Sequence, residues 1–268
     1  MSVRTVTELD GAGTTADRLW ALAATNYGHF TSMQVRDGLV RGLGHHLDRL
    51  DRQSRELFGR GLAGDRVREL VRHALAGTPD ASVRVTVYSG EGRQPSAVAP
   101  AELHVVVTAG PPAPAQTSPV RVCTVPYERD LPSVKHVATF GLTYHWRRAR
   151  ALGFDDALFV DRNGLVSEGT VWNVGFFDGS RVIWPEAAVL PGVSMLVLRD
   201  GLGRIGVPWE VRQVTPETTG DFSYAFSCNS INPVRQLSAV DSVTFAPDAA
   251  VTGMVASAYD AVPAEPLA

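Results

Sequence analysis

A single lysine, Lys135, stands in the stretch LPSVKHVATF of this 268-residue chain, and every other cationic side chain among its 25 Lys and Arg residues is arginine. A strong arginine bias could leave one surface lysine by chance. A guanidinium stays protonated, however, whereas a desolvated lysine amine can lose its proton and attack a carbonyl to form a Schiff base. Lys135 is therefore a candidate nucleophile, and chance survival on a surface is the competing interpretation.

Further polar groups could surround such an amine. Glu168, in VSEGTVWNV, is a carboxylate among apolar and small residues, where a turn or edge position is the more ordinary interpretation. In LPGVSM, Val193 and Ser194 begin a predicted helix, and N–H groups at a helix start can bind an anion. Ser230 lies in a cluster of small polar residues, SCNSINPV, after a predicted strand, and Arg49 in HHLDRL could hold a phosphate from a helix.

These groups are the parts that a pyridoxal phosphate (PLP) site needs. The lysine would form a Schiff base with the cofactor. A buried acid would keep the pyridine nitrogen protonated, so that the ring can accept electrons. Small polar turns and an arginine would bind the phosphate.

The order HLDRL, VKH, ALFVDRNGLVSEGTVWNV, LPGVSM and CNSINPV, from about residue 27 to 245, resembles the class IV, or branched-chain-type, PLP-dependent aminotransferases. This family also contains D-amino acid aminotransferases and aminodeoxychorismate lyase. Each motif alone is weakly specific, but five in the family order, one of them containing the sole lysine, are a strong signal. The resemblance implies a mixed α/β fold of two domains with the cofactor in the cleft between them, and an enzyme that is at least dimeric.

The resemblance also implies roles for individual residues. Lys135 corresponds to the Schiff-base lysine and proton shuttle, and Glu168 to the partner of the pyridine nitrogen. Ser230 stands where the family has a phosphate-binding hydroxyl, usually threonine. The phosphate-binding positions implied in this chain are Arg49, Val193, Ser194 and Ser230.

Some positions depart from the family pattern. Branched-chain enzymes often have a tyrosine five residues after the lysine, where this chain has Phe140. The lyase and D-amino acid branches also lack that tyrosine, and VKH and CNSINPV look more like the lyase branch.

Three residues are candidates for the substrate pocket. Trp172 is bulky where the family often has a small or polar residue, so it narrows a pocket or fills the core. Arg93, in GEGRQP, lies near where D-amino acid enzymes bind a substrate carboxylate, although a solvated loop arginine is the more ordinary interpretation. Tyr27 is a third candidate for the lining of the pocket.

The resemblance implies PLP-dependent transamination between an amino acid or amine and a 2-oxo acid. A lyase on the same scaffold, releasing pyruvate, is the main alternative, because both reactions begin with one carbanion. A non-catalytic descendant that binds a ligand or partner is a third reading, against which the intact Lys135 and Glu168 argue. Amino transfer to an oxo acid, as opposed to pyruvate release without an acceptor, separates the first two.

The elements that must position these residues follow from local patterns. We expect a smaller N-terminal α/β domain over residues 1–110, a Pro-rich linker PPAPAQTSP at 111–119, and a larger cofactor-binding domain over 120–268. Helices are predicted at 15–25, 43–62, 65–77 and 142–153 and in VSMLVLRDGLGRIG, and strands at 82–90 and 102–110 and in VRVCTVPY, YAFSCNS and the region 156–185. A hairpin is predicted to turn at Asp37-Gly38.

The motif GLGRIG, residues 201–206, matches the dinucleotide fingerprint G-x-G-x-x-G. That mechanism needs the glycines between a strand and the start of a helix. Here they follow an apolar helical run, which favours helix termination instead.

Composition excludes several classes of function. A net charge of −3 and the short run RRAR give no nucleic-acid footprint. Two distant cysteines and the isolated pair His45–His46 have no metal-ligand spacing, so we expect no metal. No signal pattern and no membrane-length apolar run is present, so we expect a cytoplasmic protein whose partners are small molecules rather than nucleic acid or membrane. The family resemblance implies in addition that it is a homodimer.

Overall fold

The computed structural model describes residues 5–90 and 102–267, and its helices and strands form a mixed α/β fold. The helices are α1 Ala16–Thr25, α2 Leu43–Phe58, α3 Gly64–Leu75, α4 Phe140–Ala151, α5 Val193–Arg204 and α6 Ala249–Asp260. The strands are β1 Val6–Leu9, β2 Ala12–Gly13, β3 Gly28–Val35, β4 Leu39–Arg41, β5 Ala81–Ser89, β6 Leu103–Gly110, β7 Val120–Pro126, β8 Asp156–Val160, β9 Val166–Gly169, β10 Asn173–Phe177, β11 Val182–Pro185, β12 Trp209–Arg212, β13 Tyr224–Cys228, β14 Arg235–Val240, β15 Val243–Thr244 and β16 Ala264–Pro266.

The chain divides into two compact units. Unit 1 comprises the described residues of Met1–Pro114 together with Val134–Ala138 and Ala264–Ala268. Unit 2 comprises Ala115–Ser133 and Thr139–Pro263. The domain limits inferred from composition stay a prediction.

Unit 1 is built on an antiparallel five-stranded sheet with the order β2-β1-β6-β5-β3, so β3 is an edge strand. Alternate residues of β5 and β6, such as Val85 and Val107, point to one face and are buried there. Leu50 of α2 and Val71 of α3 pack on the same core. The predicted Asp37-Gly38 turn is confirmed, with both residues at positive φ.

Helix α2 begins after Gly42 and ends at Phe58. Gly59 follows in the left-handed region with φ of 67°, and its N–H group donates to the carbonyl of Arg55. Glycine is favoured here because a Cβ would be strained at this φ. The helix therefore ends at Phe58, earlier than the predicted range 43–62.

Unit 2 contains a nine-stranded mixed sheet in which β10 pairs with β13, β14, β7, β8 and β9 follow in order, and β9 pairs back with β10. These six strands therefore form a closed ring. Helices α5 and α6 cover one surface through a core that includes Trp184, Leu198 and Val255. Helix α4 packs on β7 and β8 around Leu142 and Phe159.

The glycines of GLGRIG lie at the end of α5. Gly201 and Gly203 are in its last turns, and Gly206 follows with φ of 72°. A Cβ on Gly201 would overlap the backbone carbonyl of Ala258, so this glycine permits close packing of α5 on α6. The motif opens no helix, and the strand-to-helix setting of a dinucleotide site is absent from this part of the described chain.

Among residues 5–90 and 102–267, no helix combines the length and apolar character needed to cross a membrane.

Candidate active site

Lys135 lies in a short segment of unit 1, Val134–Ala138, which pairs with the open edge of β3. The amide of Phe30 donates to the carbonyl of Lys135 over 2.9 Å, and the amide of Val137 donates to the carbonyl of Gly28 over 2.9 Å. These bonds flank an antiparallel bridge between His29 and His136. The backbone of the sole lysine is thus hydrogen-bonded to the edge of the sheet through an isolated bridge.

The side chain of Lys135 is partly buried and faces Phe30, with Nζ 4.9 Å from the centroid of the ring. Arg84, on the neighbouring strand β5, places its guanidinium carbon 3.5 Å from the same centroid. Burial lowers the pKa of Arg84 from its ordinary value. The Lys135 amine and the Arg84 guanidinium thus both lie close to the same aromatic ring, whose face attracts a cation.

Helix α2 brings Arg49 into unit 1 as a buried cation, with 6% of its surface exposed. Tyr27, in the loop before β3, is 53% exposed; its hydroxyl donates to the carbonyl of Leu57 over 3.3 Å, and its ring packs edge-on against Phe58. Tyr27 thus contacts the C-terminal end of the helix that carries Arg49.

In unit 2, Glu168 is a buried carboxylate in β9, opposite Asn173 of β10 where the ring of strands closes. The amide of Leu190 donates to Glu168 Oε1 over 3.3 Å, and Nε of the buried Arg129 lies 3.9 Å from the same oxygen. A buried charge is costly without an opposite charge and hydrogen bonds, and both are provided here.

The loop before α5 is held by the same strands. Asn173 Nδ2 donates to the carbonyl of Leu190 over 2.9 Å. A Cβ on Gly192, the N-cap of α5, would overlap Asn173 Oδ1. Val193 and Ser194 follow in the first turn of α5, and both are buried. The structure thus brings Glu168 and the start of α5 together through the loop at 190–192.

Ser230 lies in the turn after β13 and is partly buried. The turn is organised by Asn229, whose Oδ1 accepts from the amides of Ile231 over 3.0 Å and Asn232 over 2.8 Å. A side chain that bonds its own backbone in this way holds a tight turn in one conformation.

Trp172 is buried in the core of unit 2 beside Val174. Its Nε1 donates to Asp156 Oδ2 over 2.9 Å, and its ring lies where a Cβ on Gly169 would be. Burial raises the pKa of Asp156. These contacts favour core filling, while a role of Trp172 in the substrate pocket stays a prediction.

Two further residues that the sequence analysis singled out are Phe140 and Arg93. Phe140 is the first residue of α4 and is 80% exposed. Arg93, a candidate for the substrate carboxylate, lies outside the described residues.

A family model described as amino-transferase class IV matches residues 28–240, which is most of the chain. The chain belongs to this family. Class IV aminotransferases and the related aminodeoxychorismate lyase are PLP-dependent enzymes, and the chain is therefore a PLP-dependent enzyme.

Solved structures of this fold are similar over nearly the whole chain. A branched-chain aminotransferase from Thermoproteus uzoniensis with norvaline has a TM-score of 0.82 at 20% identity, covering 96% of this chain and 94% of its own. A branched-chain amino acid aminotransferase from Thermobaculum terrenum in its PLP form has a TM-score of 0.82 at 16% identity, and the match covers 97% of this chain and 94% of that one. A protein from Legionella pneumophila assigned as a 4-amino-4-deoxychorismate lyase has a TM-score of 0.76 at 20% identity, and the match covers 85% of this chain and 88% of that one. No curated protein matches the sequence.

Each of the two units of this class IV chain contains groups of the types that the cofactor needs. A phosphate requires cations and N–H donors, and the chain offers the buried Arg49 and the start of α5. A protonated pyridine nitrogen requires an acid shielded from water, and Glu168 is one. The carbonyl group of the cofactor requires an amine to form a Schiff base, and Lys135 is the only lysine of the chain.

Sequence reasoning missed Arg129 and Asn173 as neighbours of Glu168. Arg129 is one of many arginines in this arginine-rich chain, so its residue type carried no signal. Asn173 lies within the quoted VSEGTVWNV, but its contact with the loop at 190–192 spans 17 residues and has no local pattern.

Proposed function

We propose that this chain catalyses transamination between an amino acid or amine and a 2-oxo acid, with Lys135 as the catalytic residue. The observation that carries the proposal is the placement of the sole lysine. It is partly buried, its backbone is bonded to an edge strand, and its amine faces an aromatic ring. Chance survival of a surface lysine requires none of these features.

Each proposed role matches the chemistry of the side chain. When bound, PLP supplies an electron sink for the carbanion that forms as an amino acid loses its α-proton. The amine of Lys135 holds the cofactor and moves that proton as a general base and acid. Glu168 holds a proton at the pyridine nitrogen. The groups proposed to bind the phosphate are Arg49, Val193, Ser194 and Ser230.

A lyase that releases pyruvate is the second candidate. The similarity to the Legionella protein supports it, as does Phe140 at the position where branched-chain enzymes often have tyrosine. The two activities differ in what they require. Transamination needs an acceptor oxo acid and follows ping-pong kinetics, whereas the lyase forms pyruvate from one substrate.

The first experiment is an absorption spectrum of the purified protein with PLP, beside Lys135→Ala and Lys135→Arg. We expect a visible band in the parent protein and none in either variant, because arginine keeps the charge but cannot form the Schiff base. Amino donors that remove the band then identify the substrate. A parent protein without a band would contradict both the transaminase and the lyase.

We also propose a cytoplasmic homodimer. Cys123 and Cys228 are free and buried, as is usual in a reducing compartment. Helix α4 exposes Phe140, Tyr144 and Trp146, and large exposed apolar side chains clustered on one helix are typical of an interface between chains.

A further inference from the structure

The buried face of α2 is unusually polar. Its buried residues are Leu43, His46, Arg49, Leu50, Gln53 and Ser54. A helix that packs on a sheet ordinarily buries apolar side chains, because each buried polar group costs free energy unless it is hydrogen-bonded. The polar part of this stripe therefore requires partners on the sheet.

Two hydrogen bonds, each between a histidine and a hydroxyl side chain, supply such partners between α2 and β3. His29 Nε2 lies 3.0 Å from Ser54 Oγ, and Thr31 Oγ1 lies 2.6 Å from His46 Nδ1. All four side chains are at most 3% exposed. Arg49 falls between His46 and Ser54 on the same helix face, so the two cross-links flank it.

The pKa values of both imidazoles are lowered, which favours their neutral forms. Burial, and then the charge of Arg49, lowers the pKa of His29 to about 3. Burial, Arg49, His45 and Lys135 together hold the pKa of His46 well below its usual range. Nδ1 of His29 is buried and has no hydrogen-bond partner in the described part of the chain, which a neutral ring tolerates better than a charged one. The histidines thus cross-link α2 and β3 without adding a charge beside Arg49.

Strand β3 joins these cross-links to Lys135. His29 and Thr31 point to the α2 face, whereas Phe30 between them points to the opposite face, toward Nζ of Lys135. The backbone of β3 also carries the hydrogen bonds that hold the lysine segment. The position of α2 on β3 therefore sets where Arg49 lies relative to Lys135.

We propose that His29 and His46 are positioning residues, which fix Arg49 relative to Lys135 through their bonds to Ser54 and Thr31. This rests on the proposed function, in which Arg49 binds the cofactor phosphate. Neither histidine contacts the reacting atoms. Their loss acts on phosphate recognition and leaves the chemistry of the lysine amine in place.

Binding of PLP and of pyridoxal, which lacks the phosphate, to the full chain freed of cofactor tests the proposal. In His46→Leu and Thr31→Val we expect the Kd for PLP to rise about tenfold while the Kd for pyridoxal changes little, because only PLP uses Arg49. His46→Asn, whose amide can replace Nδ1, should recover the affinity for PLP. His29→Leu and His29→Gln, whose amide can replace Nε2, form the second such pair.

Leu50→Ala is the matched control, since it removes buried apolar contacts from the same helix without touching either cross-link. A purely structural role predicts that this control changes the ratio of the two Kd values as much as His46→Leu does, and that result would overturn the proposal. The proposal would also be overturned if the ratio of the Kd for PLP to the Kd for pyridoxal were unchanged in both single variants, Thr31→Val and His46→Leu. A parent chain that binds neither PLP nor pyridoxal would overturn the proposed function as well, which distinguishes the two failures.

Discussion

At the residue scale, Glu168 illustrates how a charge is kept inside unit 2. It is buried between the amide of Leu190 and the guanidinium of Arg129, so its partners are built into the fold. Glutamine has nearly the same shape but cannot hold a proton on the pyridine nitrogen. Glu168→Gln should therefore separate folding and cofactor binding from turnover.

We expect Glu168→Gln to retain PLP and to lower kcat by on the order of 10²–10³, because an electrostatic group aimed at developing charge is lost. Steady-state kinetics and the absorption spectrum of the same sample measure both effects. Glu210→Gln, at an exposed surface pair with Arg181, is the control and should leave kcat unchanged. Full turnover in Glu168→Gln would remove Glu168 from the proposed mechanism.

His29 provides a pH-dependent prediction at the same scale. Its pKa is about 3 in the folded chain against an ordinary 6.5, so below pH 6.5 the unfolded chain binds a proton that the folded chain does not. Keeping His29 neutral therefore costs the fold nothing above pH 6.5. Below that pH the free energy of unfolding falls, by up to about 1.4 kcal/mol per pH unit.

The free energy of unfolding measured by denaturant titration between about pH 7.5 and pH 5 should therefore fall less steeply with pH in His29→Gln than in the parent chain. Glutamine can bond Ser54 but does not titrate. Parallel slopes for the two proteins would show that His29 is not held neutral by the fold.

At the element scale, the two glycines near the end of α5 have different surroundings. Gly201 meets the backbone of α6 at Ala258, whereas an added Cβ on Gly203 would meet nothing within 4 Å. Close helix packing therefore explains one glycine of GLGRIG, and the other stands on an open face of the helix.

We expect Gly201→Ala to lower the free energy of unfolding by about 1–3 kcal/mol, because α5 must move away from a rigid carbonyl. Gly203→Ala should leave it unchanged or raise it by up to about 1 kcal/mol, since alanine favours helix more than glycine does. Denaturant unfolding of both variants measures the difference. Equal effects at the two positions would contradict the packing explanation.

At the scale of the whole molecule, the exposed aromatic side chains of α4 lead to a prediction about assembly. We expect the parent chain to elute with about twice its mass of 28.8 kDa, and Phe140→Asp to shift it toward the monomer, because a charge would be buried in the interface. Light scattering after size-exclusion chromatography measures the mass.

Trp20→Ser is the matched control for assembly, since Trp20 is also a large exposed side chain but lies on α1. This control should stay a dimer. A monomeric parent chain, or dissociation by Trp20→Ser alone, would contradict an interface formed by α4.

The sequence by itself determined what is encoded in neighbouring residues. The helical spacing of leucines located α2, although the predicted range 43–62 runs past its observed end at Phe58, and the Asp37-Gly38 pair marked the hairpin. The sole lysine and five ordered motifs identified the class IV family. The weakly amphipathic α6 was missed, because its alanine-rich sequence has no clear apolar stripe.

Only the tertiary structure decided which partners these elements meet. The lysine segment pairs with β3 across more than 100 residues, His29 meets Ser54, and Arg129 meets Glu168. Periodicity shows which face of an element is apolar but not what packs there. The partners of the buried polar residues of α2 on β3 therefore could not be predicted from the sequence. The residues that could do chemistry were readable from their types, and their surroundings depended on contacts between distant parts of the chain.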